Sequence, residues 1–178
     1  MRVITGKYKG RHFDIPRSFK ARPTTDFAKE NIFNVLTQYV DFEGATALDL
    51  FSGTGSITLE LLSRGCSQVV SVELDRDHHR FITECLKKID TKACLPLRAD
   101  VFRFLKSCHQ QFDMVFADPP YALKELPAIP DMIFDRNLLK PDGIFVFEHG
   151  KDHQFEAHPH FVEHRQYGSV NFSLFRPH

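Results

Sequence analysis

The residues best suited to chemistry are four in a row, Asp118-Pro119-Pro120-Tyr121. The two prolines make this segment rigid, the Asp118 carboxyl and the Pro119 carbonyl are hydrogen-bond acceptors, and the Tyr121 ring offers a stacking face. The exocyclic amine of a nucleobase is a poor nucleophile until acceptors hold it in line with an electrophilic methyl group. These four residues are therefore candidate catalytic residues, and the alternative is an ordinary proline turn on the surface.

A pair of glycines marks a second candidate site, in the segment ATALDLFSGTGSITLELL. Gly53 and Gly55 lie between an apolar strand and a helical pattern, and without a Cβ their backbone can turn sharply and approach a ligand. Glu73 ends a second apolar run about 20 residues further on, where dinucleotide-binding proteins place a ribose-binding acid. Ile57 and Thr58 stand where that fingerprint has its third glycine. The pattern predicts a nucleotide-like ligand without a pyrophosphate, although the glycines alone also fit a structural turn.

Hydrophobic periodicity predicts strands that alternate with helices. The predicted strands are 45–51, 68–74, 93–99, 112–117, 144–148, 161–167 and 170–175. The predicted helices are 28–40, 57–64, 76–89, 101–108 and 128–139. This order predicts an α/β, doubly wound sheet in which the loops after strands one and four border the same crevice. The last two strands flank Gly168-Ser169 and predict a hairpin that adds an antiparallel strand, after an irregular crossover at 150–160.

Positive charge is concentrated at the amino terminus. Residues 1–22 contain seven Lys and Arg and one Asp, which leaves 16 basic and 22 acidic residues elsewhere in a chain of zero formal charge. The spacing predicts short strands at 2–4 and 11–15, and thus a basic β-hairpin that projects as a phosphate-binding arm. The alternative is a solvated face. The candidate RNA-binding residues are Arg2, Lys7, Lys9, Arg11 and Arg22.

Composition suits one globular domain over residues 1–178, with the basic arm at 1–22 and a doubly wound core at 23–178. No apolar stretch approaches the roughly 18 residues of a membrane helix, so we expect a cytoplasmic protein. The four cysteines form no C-x-x-C pair, which is typical of a reducing compartment. Histidines cluster near the carboxyl terminus without H-E-x-x-H or a cysteine partner, and we expect no metal.

The sequence resembles one family over nearly its whole length, through RVITGKYKGRHFDIP, RPTTD, DLFSGTGSITLELLSRG, VELDR, DPPY and QYGSVNFSLF. It is similar to the RsmD family of bacterial 16S rRNA guanine-N2 methyltransferases. The resemblance implies a Rossmann-like class I S-adenosylmethionine-dependent methyltransferase sheet of order 3-2-1-4-5-7-6 with strand 7 antiparallel. It also implies S-adenosylmethionine as donor and a guanine of 16S rRNA as acceptor. We expect a monomer that acts on an assembled or partly assembled small ribosomal subunit.

The resemblance also implies residue roles. Asp118 to Tyr121 would hold the guanine. Asp100 would hold the adenine together with Val101, and it is also a candidate N-cap for the helix that follows. The implied cofactor-binding residues are Asp49, Phe51, Gly53, Gly55, Glu73, Leu74, Asp100 and Val101.

Other functions fit less well. A DNA adenine-N6 or cytosine-N4 amino-methyltransferase shares the chemistry, but such enzymes usually have a target-recognition domain, for which this chain has no room. A non-catalytic RNA-binding subunit would tend to lose the acceptor loop or the glycines. A nicotinamide oxidoreductase would need the third glycine. A cytosine carbon methyltransferase would need a nucleophilic cysteine near residues 118–121, where the sequence has none.

Overall fold

The structure, a computed structural model, describes residues 1–20 and 23–178. Its strands are β1 (Thr46–Leu50), β2 (Gln68–Glu73), β3 (Cys94–Arg98), β4 (Phe112–Ala117), β5 (Leu139–His149), β6 (Phe161–Tyr167) and β7 (Val170–Phe175). Its helices are α1 (Asp26–Leu36), α2 (Ser56–Ser63), α3 (Arg76–Lys88), α4 (Val101–Ser107) and α5 (Ile129–Asp135), with a 3-10 turn at Leu126–Ala128. Within these residues no helix has both the length and the apolar character needed to cross a membrane.

The strands form one seven-stranded sheet of order β3-β2-β1-β4-β5-β7-β6, and the predicted fold class is confirmed. Strands β1 to β5 are parallel, and β7 is antiparallel to both β5 and β6. The chain order reverses between β1 and β4, where Leu50 pairs with Ala117. At such a reversal the helices leave in opposite directions, so a crevice opens outside the carboxyl ends of the two strands.

Alternating residues of the central strands enter two separate hydrophobic cores, because successive side chains of a strand point to opposite faces. Along β1, Ala47 packs in the core that contains α1, α2 and α3, whereas Leu48 packs in the core that contains α4 and α5. Both residues are fully buried. The near-continuous apolar runs of the sequence therefore reflect strands that are covered on both faces.

Two predicted helix ends are wrong. The helix predicted over 128–139 ends at Asp135, because Asn137 adopts a left-handed backbone with φ 53° that a helix cannot continue. Strand β5 then begins at Leu139 and pairs with Phe112, five residues earlier than the predicted strand over 144–148. The first helix, predicted to extend to residue 40, ends at Leu36. The predicted irregular crossover at 150–160 is correct, since no helix or strand forms there.

The two ends of the predicted basic hairpin pair with each other, but the hairpin does not project from the molecule. The Phe13 N–H donates to the Met1 carbonyl at 2.8 Å and the Val3 N–H to the Arg11 carbonyl at 3.0 Å, on either side of an antiparallel bridge between Arg2 and His12. The basic loop between these ends is held against α2, because the Lys7 N–H donates to the Ser63 carbonyl at 2.9 Å. Gly6, with φ 96°, lies so close to α2 that an added Cβ would be 2.0 Å from the Ser63 oxygen. The basic residues are therefore fixed against the doubly wound core.

Glu60 of α2 is the anchor of this loop. Its side chain is fully buried, and its carboxylate accepts hydrogen bonds from the Ile4 N–H at 2.8 Å and the Thr5 N–H at 3.1 Å. The same carboxylate accepts from Arg64 Nε at 2.9 Å and lies 3.8 Å from Lys29 Nζ. The loop is held by a buried acid that two cations neutralise.

Lys29 of α1 is the second cation near Glu60, and it is almost fully buried, with 1% of its surface exposed. Its ammonium group donates to the Arg2 carbonyl at 2.6 Å and to Ser56 Oγ at 2.9 Å, so it links the amino terminus, α1 and the first residue of α2. Burial lowers the pKa of Lys29, and the Glu60 charge opposes that shift.

Replacing Glu60 by Ala should lower the free energy of unfolding by about 3–5 kcal/mol, because the buried Lys29 and Arg64 side chains and the N–H groups of Ile4 and Thr5 lose their acceptor. Urea denaturation followed by circular dichroism measures this change. The matched control is Glu30→Ala on the exposed face of α1, which should change stability by less than about 0.5 kcal/mol. Equal effects of the two substitutions would show that Glu60 does not anchor the loop.

Candidate active site

A crevice of about 1020 Å³ lies at the carboxyl ends of β1 to β5. It brings together nearly all of the predicted cofactor and catalytic residues. These are Asp49, Phe51, Gly53, Glu73, Leu74, Asp100, Val101, Asp118, Pro119, Pro120 and Tyr121. The crevice is also lined by Lys20, Thr24 and Glu148, which the sequence analysis does not assign to the site.

The two glycines of the loop after β1 differ in their surroundings. Gly53 has φ 57° and no heavy atom within 4 Å of where its Cβ would lie, so its backbone faces open space in the crevice. Gly55 has φ 84° and is not among the crevice-lining residues; an added Cβ would lie 2.9 Å from Cγ1 of Ile82. Gly53 leaves room for a ligand, whereas Gly55 permits close packing of α2 on α3.

Glu73 ends β2 and holds the glycine loop in place. Its Oε1 accepts from the Gly53 N–H at 2.7 Å, and its Oε2 accepts from the Asp75 N–H at 2.9 Å. A carboxylate has about four acceptor positions, so two remain for a ligand in the crevice. The predicted ribose-binding acid therefore lies in the crevice and also shapes the loop beside it.

Asp49 is a buried acid at the end of β1. It is 1% exposed, and its Oδ2 accepts from Thr58 Oγ1 at 2.6 Å. Burial raises the pKa of Asp49 to about 7, with a smaller contribution from the charge of Glu73. A cationic group entering the crevice would favour the ionised form, so the site is suited to a positively charged ligand.

Asp100 follows β3 and caps α4, as predicted, because its Oδ1 accepts from the Arg103 N–H at 3.1 Å. The same side chain lines the crevice. Val101, the next residue, is buried at the crevice wall, and Leu74 is 58% exposed at its rim. The capping role and the predicted adenine-binding role of Asp100 are therefore compatible in position.

The acceptor loop, residues 118–121, begins directly after β4. The Asp118 N–H donates to the Leu50 carbonyl at 3.3 Å, which ties this loop to the end of β1. Pro119 is buried, whereas Tyr121 is 46% exposed and packs over Gly150, where an added Cβ would be 3.1 Å from the tyrosine ring. The glycine loop and the acceptor loop thus face each other across one crevice.

Glu148, near the end of β5, is a site residue that sequence reasoning missed. It is 6% exposed, and its carboxylate accepts from Thr24 Oγ1 at 3.0 Å and from the Tyr121 hydroxyl at 3.3 Å. The available signal was an acid at the carboxyl end of a buried strand, the same pattern that identified Glu73 and Asp100. The contact also places Thr24, a residue of the RPTTD segment, in the site.

Asp118 and Glu148 form a pair of carboxyl groups within hydrogen-bonding reach of each other. Burial raises the pKa of both, and the charge of Glu148 raises the pKa of Asp118 further, well above its usual range. Because two adjacent carboxylates in a desolvated site repel each other, the Asp118–Glu148 pair resists losing both of its protons.

The predicted RNA-binding residues that the structure describes lie beside the ends of three different helices. Arg2 forms an ion pair with Asp26 at the start of α1. Lys7 and Lys9 lie in the loop on Ser63, at the end of α2 near the amino ends of the strands. Arg11 donates from Nη2 to the Lys88 carbonyl at the end of α3. The remaining predicted residue, Arg22, lies outside the described residues.

The prediction that no metal binds stays a prediction. Across 1–20 and 23–178 the structure contains no group of three or more His, Cys, Asp or Glu side chains arranged to hold an ion. Two of the histidines near the carboxyl terminus make internal contacts, His149 with Ser173 Oγ at 2.7 Å and His158 with Asp131 Oδ1 at 2.8 Å.

A family model described as Conserved hypothetical protein 95 matches residues 1–176, almost the entire chain. The chain belongs to this family. Ribosomal RNA small subunit methyltransferase D of Haemophilus influenzae is 33% identical over 159 residues, which cover 85% of this chain and 80% of that protein. The resemblance to the RsmD family is thereby confirmed.

Solved structures support the same fold. A hypothetical protein of Thermus thermophilus is 27% identical and superposes with a TM-score of 0.87, covering 99% of both chains. The 16S rRNA N2 G1207 methyltransferase RsmC of T. thermophilus, solved in complex with AdoMet and guanosine, is 19% identical. Its TM-score is 0.70 over 90% of this chain and 45% of that one, a likeness of fold.

Replacing Asp49 by Asn should stabilise the unliganded protein at pH 8 by roughly 1–4 kcal/mol, because the variant avoids ionising a buried acid. The folded pKa of about 7 exceeds the ordinary 3.8. The raised pKa of Asp49 therefore contributes its full stabilisation of the fold below pH 3.8. This stabilisation is lost as the pH rises from 3.8 to about 7. Urea unfolding of both proteins between pH 4 and 8 measures the difference, which should shrink towards pH 4. A difference independent of pH would contradict the assignment.

Proposed function

We propose that this protein transfers the methyl group of S-adenosylmethionine to the exocyclic N2 amine of a guanine in 16S rRNA. The observation that supports this most directly is the single crevice shared by the glycine loop and by Asp118 to Tyr121. The Haemophilus influenzae relative is named as a small-subunit rRNA methyltransferase. The RsmC structure, of the same fold, holds AdoMet and guanosine.

The residues present fit the proposed cofactor. Ligand pockets are typically about 300–1,000 Å³, so a crevice of about 1020 Å³ has room for a nucleoside cofactor and part of a second base. Asp49 offers a buried acid to the cationic methionine end, Glu73 offers acceptor positions to the ribose hydroxyls, and Asp100 and Val101 offer a wall to the adenine. The bound cofactor would supply an electrophilic methyl group.

The acceptor loop would then prepare the guanine. The Asp118 carboxyl and the Pro119 carbonyl accept hydrogen bonds from the two amine hydrogens and aim the nitrogen at the cofactor side of the crevice. The Tyr121 ring provides a partly exposed stacking face. The amine loses a proton only as its new bond forms. The Asp118–Glu148 pair is suited to accept that proton, since its raised pKa makes it a stronger base than an ordinary carboxylate.

We also propose that the protein acts as a monomer in the cytoplasm, on an assembled or partly assembled small subunit. Lys7, Lys9 and Arg11 support the choice of a large substrate. Lys7 and Lys9 lie at the far end of α2, whose eight residues are about 12 Å long, and Arg11 lies at the end of α3. Phosphates that contact these residues would belong to a part of the RNA well separated from the methylated guanine.

Replacing Asp118 by Ala should lower kcat by about 100-fold or more, because a preorganised acceptor for the developing charge is lost. Affinity for S-adenosylhomocysteine should stay the same. The substrates are small subunits and RNA from a strain that lacks the protein, with product identified by nucleoside analysis as N2-methylguanosine. Asp142→Ala, an exposed acid at the opposite end of β5, is the control. Near-normal rates for Asp118→Ala, or a different methylated nucleoside, would contradict the proposal.

Changing Lys7, Lys9 and Arg11 together to Glu should weaken RNA binding and reduce its salt dependence by about one unit of slope per lost phosphate contact. Turnover with saturating RNA should change little, since these residues lie away from the crevice. Filter binding at several salt concentrations measures the slope. A Lys106→Glu change, at an exposed position of α4, is the control for a charge reversal elsewhere on the surface. An unchanged slope would show that the basic loop is a solvated face.

A further inference from the structure

Glu148 lies beside the residues proposed to hold the guanine amine, and its role is open. We propose that Glu148 selects guanine by accepting a hydrogen bond from the N1–H of the base, next to the N2 amine. This inference rests on the proposed function and adds to it the reason why one base is accepted and the others are refused.

The sheet register fixes where Glu148 stands. Ala117 of β4 pairs with Phe147 of β5, so the residues that follow them, Asp118 and Glu148, leave neighbouring parallel strands side by side. Both line the crevice. A base whose amine is held at Asp118 can present towards Glu148 one of the two ring nitrogens that flank the amine-bearing carbon, and in guanine only N1–H, not N3, can donate to a carboxylate.

Two hydroxyl groups fix the orientation of the Glu148 carboxylate. Thr24 Oγ1 donates to Oε1 at 3.0 Å, and the Tyr121 hydroxyl donates to Oε2 at 3.3 Å. Asp118 is the third hydrogen-bonding partner of this carboxylate, so one of its about four acceptor positions remains for the base. The hydroxyl donors favour the ionised form of Glu148, and the charge of Glu148 raises the pKa of Asp118, so within the pair Asp118 holds a proton more readily.

An ionised, nearly buried carboxylate at this position distinguishes the bases by their edges. Guanine has a hydrogen on the ring nitrogen next to its amine. Adenine and cytosine have a lone pair on the corresponding nitrogen, which would face the carboxylate without a hydrogen bond. Leaving buried polar groups unpaired is costly, so a site built to pair with an N–H rejects analogues that lack it.

The arrangement also gives a role to Thr24 of the RPTTD segment. It is a positioning residue, because it acts on the base through Glu148. Thr24→Val should lose part of the selectivity described below, and Thr24→Ser should restore it. If Thr24→Val is as selective as wild type, Thr24 does not position Glu148.

The test compares guanosine with 2-aminopurine riboside, which keeps the 2-amine but has a lone pair on N1. Each is placed at the methylated position, mapped by mass spectrometry of nuclease fragments, in small-subunit RNA reconstituted into particles. Wild-type protein should prefer guanosine by about 100-fold or more in kcat/KM. In Glu148→Gln the amide can donate to the N1 lone pair, so the preference should fall to about 10-fold or less. Glu156→Gln, an exposed change in the following segment, should keep the wild-type preference.

The preference is a ratio within each variant, so a general loss of stability cancels. If wild-type protein methylates guanine N2 and Glu148→Gln keeps the full preference, the inference about Glu148 is overturned while the proposed function stands. If wild-type protein does not methylate guanine N2, the proposed function is overturned and this inference with it.

Discussion

The parallel pairing of β1 with β4 is the contact on which the site depends. Leu50 pairs with Ala117, and the Asp118 N–H donates to the Leu50 carbonyl at 3.3 Å. The glycine loop leaves one strand and the acceptor loop leaves the other, and no helix fills the gap between them because the strand order reverses there. In the proposed reaction, methyl donor and acceptor amine meet only if these two strands are neighbours. The selectivity and the RNA contacts that we propose would come from elements at the rim of the sheet.

Much of the fold and of the site follows from local patterns in the sequence. Apolar runs that end in an acid predict buried strands, and in a parallel sheet their carboxyl ends share one edge, so Asp49, Glu73 and Asp100 converge on one crevice. Asp100 illustrates how local the signal is, because its role as an N-cap depends only on the next three residues. The sheet order followed from the family resemblance, and the structure bears it out.

The rest depends on contacts between distant parts of the chain. Glu148 is positioned in the site by Thr24, which is 124 positions away, and by the neighbouring strand β4. Neither contact has a sequence signal. The charges of the basic loop suggest an exposed arm, and its attachment to α2 is invisible in the sequence. Glu60 reads as an ordinary helical acid, yet its buried carboxylate accepts the N–H groups of residues 4 and 5 and fixes the loop. The helix predicted over 128–139 ends early because of the backbone of one residue, Asn137.

The fixed attachment of the basic loop sets a constant distance between Lys7 and the glycine loop. Lys7 is held at one end of α2 and the glycine loop lies at the other, and the helix between them is rigid and about 12 Å long. A flexible arm would reach phosphates at many separations from the crevice. Under the proposed function, a rigid attachment would accept only RNA in which a phosphate and an unstacked guanine are correctly spaced. The folded shape of the substrate, more than the sequence around the guanine, would then decide which nucleotide is modified.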